Sequence, residues 1–531
     1  MLSTLQTFLR RLYAPSPRLR VGLLALAGCG GLALGACSAV LDFTECREDA
    51  DCADFFTADK KPMRCDEDLQ CVARTKCTSN SQCVGLGEDY ICNLTGSCAA
   101  TSSDQCAAPI YPNGEASDKV VFIGSIVSKA GADKALGEAA EKAMIQALDD
   151  FQAGGGALKS GSDTQSVGLI PCDSGGSVVQ ATAAARHLGE ALTVPAILGP
   201  LDDDELVNVA QDVSIANGVL AYTNSPTATA DLGFDDKGLV WQTNTSAVIQ
   251  GRSFGYHIAY EIANGTFTNP APEATLLFAQ DEYGYGMYYA LATEVQEGQP
   301  NRIPEVNGQV VSSYSNVDTG KLRIDSFGDK DILILFGGAE VAELLTHYKA
   351  SGKPLPTRIY VAERSFAAVL ALADVDLVDR VRLIRPDLET DNLKALRARL
   401  KDNAAPAEAG LAYDAAMVTL LAMTAHTGSE PITGVAIRSA MSRLSDPMGT
   451  PVSFGDNPAT FVKAAVAALQ AGKNIDIEGI SGPLDYDQKA GTICGNMIAY
   501  GLDPTGKSLV PRDKFTPGCP KSVVGDWVAV P

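Results

Sequence analysis

The chain has 531 residues, of which 46% are hydrophobic and 20% charged, and its formal net charge is −22 at pH 7. This length predicts more than one structural unit, and the balance of apolar and charged residues excludes general disorder. An excess of acidic residues on this scale opposes binding to nucleic acid or to an anionic surface, so we expect no nucleic-acid partner.

The first 36 residues have the composition of a secretion signal. Four arginines and no acidic residue occur in the first twenty positions, and an uncharged stretch rich in glycine, alanine and leucine follows. This stretch ends in Leu34-Gly35-Ala36-Cys37, which resembles the site at which bacterial lipoproteins are cleaved and diacylated. We therefore predict a lipoprotein signal peptide at 1–36 and a lipid anchor on Cys37 that attaches the mature chain to a membrane.

Two other interpretations of this segment remain open. Cleavage before Cys29 would leave an apolar core of about seven residues, which is short for a signal peptide. The uncharged stretch 21–41 is also close to the ~20 residues that span a bilayer, so it could be an uncleaved helix anchor. In every case the rest of the chain is expected to be exported, either to the periplasm or to the outer membrane or cell surface.

Eight cysteines in the region 37–106 form an internal repeat of two modules. They are Cys46, Cys52, Cys65 and Cys71, then Cys77, Cys83, Cys92 and Cys98. Each module has few large apolar residues, so we predict a stalk stabilised by disulfides in place of a core. Zinc is the alternative, but its paired ligands are usually two to four residues apart and no histidine lies in this region, so we expect no metal.

The disulfide connectivity cannot be deduced from the spacing. Among the cysteines outside the two modules, our guess by elimination pairs Cys106 with Cys172 and Cys494 with Cys519. Residues 107–117 are rich in turn-forming residues and are predicted to be a linker.

After residue 118, short apolar runs alternate with segments of helical periodicity. The predicted strands are 119–126, 167–171, 196–198 and 219–222, then 274–279, 332–336 and 358–361. Strands of this kind, each followed by a helix, are typical of a parallel sheet covered on both faces. The pattern occurs twice, so we predict an α/β protein with two doubly wound lobes.

Four short segments that follow these strands resemble the ligand pocket of the type I periplasmic binding proteins, the family of branched-chain amino-acid receptors and related receptor ligand-binding regions. The segments are Ile197-Leu198-Gly199-Pro200 leading into Asp202-Asp203-Asp204, Ser225-Pro226-Thr227-Ala228-Thr229, Asp281-Glu282-Tyr283-Gly284-Tyr285-Gly286, and Phe336-Gly337-Gly338 followed by Glu363. The resemblance covers roughly residues 118–505. It implies that the chain crosses three times between the lobes through a hinge.

These crossings imply the following domain boundaries. The first lobe comprises 118–246 and 388–481, the second comprises 247–387 and 482–505, and 506–531 is a C-terminal tail. The last crossing is expected at 479–484.

The resemblance also implies a set of ligand-binding residues. They are Asp203, Asp204, Thr227, Thr229, Tyr283, Ala339 and Glu363. Asp203 stands where the family has a Ser or Thr that holds the carboxylate of an amino-acid ligand. Since two carboxylates repel each other, this change favours a cationic or hydroxyl-rich ligand. Glu363 matches an acid that receives the ligand's ammonium group, and Ala339 replaces an aromatic residue, which leaves room for a bulkier ligand.

Simpler roles for these residues also remain open. The run of three aspartates at 202–204 would cap a helix and complement its dipole. The threonines at 227 and 229 could belong to an ordinary turn, and Tyr283 could be a core aromatic residue. Glu363 could pair with its neighbour Arg364.

We therefore predict a membrane-tethered receptor that captures an amino acid or another small polar solute by closure of its two lobes, for uptake through an ABC permease or for sensing. We expect no cofactor. The alternative is an envelope lipoprotein with a degenerate cleft that binds a protein partner in a structural or regulatory role. An enzyme is disfavoured, and no catalytic residue is predicted, because the four histidines form no metal-ligand pair and the sequence has neither a Gly-x-Ser-x-Gly motif nor a phosphate-binding loop.

Overall fold

The computed structural model describes residues 46–47, 49–52, 63–65, 69–73, 76–87, 89–114, 118–160, 163–224, 234–293, 310–426, 431–455, 457–517 and 525–530. The predicted signal peptide, Cys37, Thr227, Thr229 and Cys519 lie outside these ranges. Within these ranges, none of the helices combines the length and the apolar character that a bilayer crossing requires.

Each cysteine module is closed by two disulfides, which join its first cysteine to the third and its second to the fourth. The bonds are Cys46–Cys65, Cys52–Cys71, Cys77–Cys92 and Cys83–Cys98. Each module contains a small antiparallel hairpin, formed by β1 (Met63–Cys65) with β2 (Cys71–Ala73) and by β3 (Tyr90–Cys92) with β4 (Cys98–Ala100). The predicted disulfides are confirmed, and they use the sulfur atoms that a zinc ion would need.

The first lobe contains a six-stranded sheet. Its strands are β5 (Val120–Val127), β6 (Leu158–Ser160), β7 (Asp163–Asp173), β8 (Ala196–Leu198), β9 (Leu220–Thr223) and β10 (Val240–Gln242). Hydrogen bonds order them β10-β9-β8-β5-β7-β6, and all neighbours are parallel except β6 and β7. Two additional strand pairs lie late in the chain, β16 (Thr450–Ser453) with β17 (Ile475–Glu478), and β18 (Tyr486–Asp487) with β19 (Thr492–Ile493).

Helices cover both faces of this sheet. They are α1 (Lys134–Ala153), α2 (Val178–Arg186), α3 (Asp203–Val209), α4 (Ile215–Asn217), α10 (Asp391–Leu400), α11 (Glu408–Ala425), α12 (Gly434–Ala440) and α13 (Pro458–Gln470). Every residue of α11 after Glu408 is buried. A helix that is apolar on all sides belongs in a protein interior, and α11 forms the centre of the largest hydrophobic core.

The second lobe contains an eight-stranded sheet. Its strands are β11 (Ala274–Ala279), β12 (Val310–Tyr314), β13 (Ile332–Phe336), β14 (Arg358–Ala362), β15 (Val381–Pro386), β20 (Met497–Leu502), β21 (Leu509–Pro517) and β22 (Gly525–Ala529). The order is β12-β11-β13-β14-β15-β20-β21-β22. The first five strands are parallel, and the last three are antiparallel to their neighbours.

The helices of the second lobe also lie on both faces of its sheet. They are α5 (Ala247–Ala263), α6 (Glu282–Thr293), α7 (Val317–Ser326), α8 (Val341–Ala350) and α9 (Phe366–Ala371). Two hydrophobic clusters result, one with α5 and α6 and the other with α7, α8 and α9. The two lobes together confirm the predicted α/β architecture.

Two segments differ from the boundaries that the sequence predicts. The expected tail 506–531 contributes β21 and β22, so it extends the sheet of the second lobe. The last crossing lies between 493 and 497 instead of 479–484, because Leu484 and Tyr486 pack into the core of the first lobe. The Tyr486 ring lies 5.4 Å from that of Trp241, and its hydroxyl group is hydrogen-bonded to Tyr222.

The second cysteine module is docked against the first lobe. The Asn93 side chain donates to the Ala191 carbonyl oxygen at 2.8 Å, and the Leu94 N–H donates to the Thr193 hydroxyl oxygen at 3.0 Å. The Cys106–Cys172 disulfide confirms the pairing guessed from the sequence. This module is therefore not a free stalk.

The beginning of the predicted linker is part of the same attachment. Ala107 and Ile110 donate backbone hydrogen bonds to β7, at 2.9 and 2.7 Å. The later part of β7 has a free edge for Ala107 and Ile110, because β6 pairs only with residues 163–165 of that strand. Residues 107–110 are therefore an ordered border of the sheet and not a linker.

Candidate functional site

The lobes meet at the carboxyl ends of their parallel strands, where open α/β sheets bind ligands. In the first lobe, β8 leads through Gly199 into the first turn of α3. A Cβ atom on Gly199 would lie 2.2 Å from the carbonyl oxygen of Ile126, so this tight turn requires glycine. In the second lobe, β11 leads to α6, and β14 leads to Glu363 and Arg364. The segment that leads into α3 and the segment that begins α6 therefore lie where the two lobes meet, as does the end of β14. The predicted segment 225–229 lies outside the described residues.

The aspartates at the start of α3 have different roles. Asp202 caps the helix through Oδ1, which accepts the N–H groups of Asp204 and Glu205 at 3.0 and 3.2 Å. Asp203 is buried, with 2% of its surface exposed. Asp204 accepts the backbone N–H of Glu282, in the second lobe, at 3.3 Å. Helix capping thus involves Asp202, whereas Asp203 and Asp204 face the opposite lobe.

The guanidinium group of Arg364 bridges the two lobes. It lies 2.9 Å from an oxygen of Asp202, 3.9 Å from one of Asp203, and 3.7 Å from one of Asp281. Its central carbon lies 5.1 Å from the ring centroid of Tyr283, which is a cation–π contact. Burial opposes the charged form, but the three carboxylates together raise the pKa of Arg364. The cleft therefore already contains one bound cation, which belongs to the protein.

Glu363 belongs to a separate buried cluster. Asn244 donates to its Oε2 at 3.4 Å, and Arg385 lies 3.7 Å from its Oε1. The same Arg385 nitrogen donates to Glu408, at the start of α11, at 3.1 Å. Arg385 therefore connects the second lobe to the first. The possible Glu363–Arg364 pair is replaced by two ionic connections between the lobes, one through Arg364 and one through Arg385.

Tyr283 and Ala339 differ in their environments. Tyr283 is fully buried beneath Arg364, and its hydroxyl makes no hydrogen bond of normal geometry with any described residue. Burial raises the pKa of this hydroxyl, and the neighbouring Glu363 carboxylate adds to the rise. Ala339 lies exposed on the turn between β13 and α8.

The structure thus brings Asp203, Asp204 and Tyr283 together, with Glu363 in the adjacent cluster. Arg364 was not predicted as a cleft residue, and neither were Arg385 and Glu408. Arg364 directly follows Glu363, so its position beside a predicted site residue was a usable signal that it lies in the cleft. Arg385 and Glu408 meet where α11 returns to the first lobe. The resemblance implies this return, but no local pattern indicates which residues meet there.

The buried state of Glu363 predicts a pH dependence of stability. Burial raises the pKa of Glu363 to about 7, with Arg385 opposing the rise and Glu408 adding to it. Because the pKa in the folded state exceeds the ordinary 4.5, folding takes up a proton, and this contribution to stability is lost as the pH rises from 4.5 to 7. Replacing Glu363 with glutamine should remove this loss.

Chemical denaturation at pH 5 and pH 8 tests the prediction. The free energy of unfolding of Glu363→Gln, relative to wild type, should be higher at pH 8 than at pH 5. Asp318→Asn, at an exposed position in the first turn of α7, is the control and should show no such change. If the difference in the free energy of unfolding between Glu363→Gln and wild type is the same at pH 5 and pH 8, the prediction is wrong.

Comparisons with known proteins give a family and a fold. A family model described as "Periplasmic binding protein" matches residues 120–507. No curated protein sequence matches the chain.

Three solved structures illustrate the similarity in fold. The branched-chain amino acid transporter substrate-binding protein of Streptococcus pneumoniae, in complex with isoleucine, is 14% identical with a TM-score of 0.53, and the match covers 78% of this chain and 100% of that one. A leucine-binding protein from Thermotoga maritima is 16% identical with a TM-score of 0.54, covering 75% and 99%. An ABC-transporter solute-binding protein from R. palustris, in complex with 4-hydroxybenzoate, is 14% identical with a TM-score of 0.53, covering 75% and 97%.

Proposed function

Since this chain belongs to the type I periplasmic binding proteins, we propose that it is an exported receptor that captures a small polar solute between its two lobes, for uptake through an ABC permease or for sensing. The observation that carries the proposal is the meeting of charged groups from both lobes around Arg364, whose guanidinium lies over the ring of Tyr283. A ligand that contacts both lobes stabilises the closed state more than the open one, and this difference is what capture requires.

The cleft has the chemistry that a polar solute needs. Carboxylates lie on both sides, a guanidinium crosses between them, and an aromatic ring forms the floor. Ordinary binding sites combine an apolar or aromatic surface with a few well-placed polar groups, which fix the orientation of the ligand. The solved structures in complex with isoleucine and 4-hydroxybenzoate support the choice of amino acids and aromatic acids as the first compounds to test.

A thermal-shift screen of the purified full-length protein tests the proposal. The panel comprises amino acids, polyamines, sugars, nucleosides and benzoates. A compound that binds only the folded state at about 100 times its Kd should stabilise it by about 2.7 kcal/mol and raise the Tm. Failure of every compound would argue against solute binding.

A pair of variants on α6 locates the site of any compound that binds. Tyr283→Leu removes the aromatic floor and should abolish the ligand-dependent rise in Tm. Tyr289→Leu is the matched control, because Tyr289 is on the same helix and 57% exposed. Equal losses in the two variants would place the ligand elsewhere.

A second candidate function is a protein-binding envelope lipoprotein with a degenerate cleft. It is favoured by the Arg364 bridge, because a closed state held by the protein's own charges needs no solute. In that case the screen should give no stabilising compound. Small-angle scattering of the Arg364→Gln variant should then show the same radius of gyration with and without the panel.

The proposed attachment to the envelope depends on Cys37. The positively charged start, the uncharged stretch and the small residues before this cysteine support signal cleavage and lipidation. Cells fed a radiolabelled fatty acid should label the wild-type protein but not Cys37→Ser, while Cys29→Ser should still be labelled. Labelling that depends on Cys29 instead would move the anchor to that residue.

A further inference from the structure

We infer that closure of the two lobes takes up a proton at Glu363, so that the receptor closes more readily at acidic than at alkaline pH. This inference rests on the proposed function, because it requires lobes that open and close, and it adds a regulation of the same cleft by pH. It concerns two states of the folded chain, whereas the pH dependence of stability compares the folded chain with the unfolded one.

Arg385 is shared by two carboxylates that come from different lobes. Its guanidinium lies 3.7 Å from Oε1 of Glu363 and 3.1 Å from Oε1 of Glu408. Glu363 and Arg385 lie in the second lobe, near the ends of β14 and β15, whereas Glu408 begins α11 of the first. When the lobes separate, Glu408 leaves with the first lobe and Arg385 keeps Glu363 as its partner. Closure therefore brings a second negative charge to a pair that is already neutral.

Glu363 is the member of this cluster on which the proton lies. Its side chain is 8% exposed, against 23% for Glu408, so water reaches Glu408 more easily. Asn244 donates to Oε2 of Glu363, but the buried Oε1 makes no hydrogen bond with any described residue. A buried charge without hydrogen bonds is costly, and a proton on Oε1 removes the charge. Burial accordingly raises the pKa of Glu363 to about 7, with Arg385 opposing the rise and Glu408 adding to it.

The other groups that face this cluster keep their charge between pH 6 and pH 8. They are the amides of Asn244 and Gln250, the hydroxyl groups of Tyr283 and Tyr500, the carboxylate of Glu389, and the guanidinium groups of Arg364 and Arg385. Burial raises the pKa of both tyrosine hydroxyls, so they stay neutral. A hydrogen bond from Arg397 lowers the pKa of Glu389. Burial opposes the charge of the two guanidinium groups that face the cluster, but the surrounding carboxylates raise their pKa values. Glu363 is therefore the proton site that the cluster offers in this range.

The direction of the pH effect follows from the two states of Glu363. In the open state Glu408 has moved away and water reaches the cluster, so the pKa of Glu363 falls towards its ordinary 4.5. Because the pKa is higher in the closed state, closure takes up a proton, and this contribution to closure is lost as the pH rises through about 7. The ratio of closed to open molecules should therefore fall about tenfold between pH 6 and pH 8.

A second meeting of carboxyl groups between the lobes acts in the same direction. Asp204 of α3 accepts the backbone N–H of Glu282 of α6 at 3.3 Å. Burial raises the pKa of Asp204, and Asp202 adds to the rise, while burial and Asp204 together raise the pKa of Glu282. Glu282 is exposed, unlike Glu363, so water screens this contact and we expect the smaller part of the pH effect from it.

Small-angle X-ray scattering of the purified full-length protein, without any solute, tests the inference. The Arg364→Gln variant provides the background, because it removes one ionic connection between the lobes and leaves the one through Arg385. Its radius of gyration should be larger at pH 8 than at pH 6, since more molecules are open at pH 8. The same radius at both pH values would overturn the inference.

Two further substitutions in this background assign the effect to Glu363. Glu363→Gln resembles the protonated carboxyl group, so this double variant should have the small radius at both pH values. Asp414→Asn is the matched control, because burial raises the pKa of Asp414 to about 7 as well, but its carboxylate accepts from Ile480 and Ser481 within the first lobe. The control double variant should retain the larger radius at pH 8.

The remaining outcomes also decide the question. If the double variant with Glu363→Gln still expands at pH 8 and one with Glu282→Gln does not, the proton is taken up at the start of α6 and the inference is wrong. If Asp414→Asn removes the pH dependence as Glu363→Gln does, the effect comes from general stability and the inference is wrong as well. The solute screen is independent of these measurements, so a failure of the proposed function can be told apart from a failure of this inference.

Discussion

Replacing both Cys106 and Cys172 with serine is expected to lower the free energy of unfolding of the first lobe by about 4 kcal/mol, estimated from chain entropy. The bond joins residues 66 positions apart, so without it the unfolded chain gains a large number of conformations. The bond also fixes the border formed by residues 107–110 against β7. Urea denaturation followed by tryptophan fluorescence in a Trp527→Phe background measures the loss, because the other tryptophan, Trp241, is buried in this lobe.

The matched control removes a disulfide that lies within one module. Replacing Cys83 and Cys98 with serine opens a loop of 15 residues, which corresponds to about 3 kcal/mol by the same relation. That loss should be confined to the second cysteine module and leave the Trp241 transition almost unchanged. If the Cys106 and Cys172 variant also leaves this transition unchanged, the module and the lobe unfold independently.

The central strands of both lobes could be predicted because they are continuous apolar runs. A strand buried on both faces of a parallel sheet, such as β13, leaves this signal in any sequence. β21 and β22 leave a much weaker signal in the sequence. β21 contains prolines and charged residues and is antiparallel to both its neighbours, and such composition is typical of the borders of a sheet and of loops alike.

The last crossing was misplaced for a different reason. Residues 479–484 contain the glycines and the proline of a turn, and the resemblance to the family implies a change of lobe there. In the structure the turn is held inside the first lobe by Asp414 of α11, which accepts the N–H groups of Ile480 and Ser481 at 2.7 and 2.8 Å. A contact between residues 66 positions apart leaves no local signal.

The candidate site shows the same limit. The position of Tyr283 could be predicted because it lies in a short motif after a strand. The bridge that its partner Arg364 makes could not be predicted, because it forms only when two separate strand ends of the second lobe meet α3 of the first. Local motifs identify the elements that border a cleft, whereas the charge balance inside it depends on the tertiary structure.

Replacing Glu261 with glutamine is expected to destabilise the second lobe by about 3–5 kcal/mol, the usual effect of removing one member of a buried ionic network. Glu261, on α5, accepts from Arg358 of β14 at 2.7 Å and lies 3.1 Å from Arg382 of β15. It also accepts the Tyr360 hydroxyl at 2.8 Å. The substitution would leave two mostly buried guanidinium groups without their shared carboxylate.

The matched control is Glu273→Gln, which breaks an ion pair with Lys330 in the same lobe. The Glu273 side chain is 43% exposed, so this loss should stay below about 1 kcal/mol. Thermal unfolding followed by circular dichroism compares the two variants at pH 7. Equal losses would indicate that water screens the Glu261 network as well.

The effect of Glu261→Gln should also depend on pH. Burial raises the pKa of Glu261, but His257, Arg358 and Arg382 together lower it below the ordinary 4.5. A carboxyl group with a lowered pKa stabilises the folded state above its unfolded value, and this contribution is lost as the pH falls through its folded value. The difference between wild type and Glu261→Gln should therefore shrink as the pH falls below 4.5. A difference of the same size at pH 3 and pH 7 would mean that packing, and not charge, makes Glu261 important for the junction of α5 with β14 and β15.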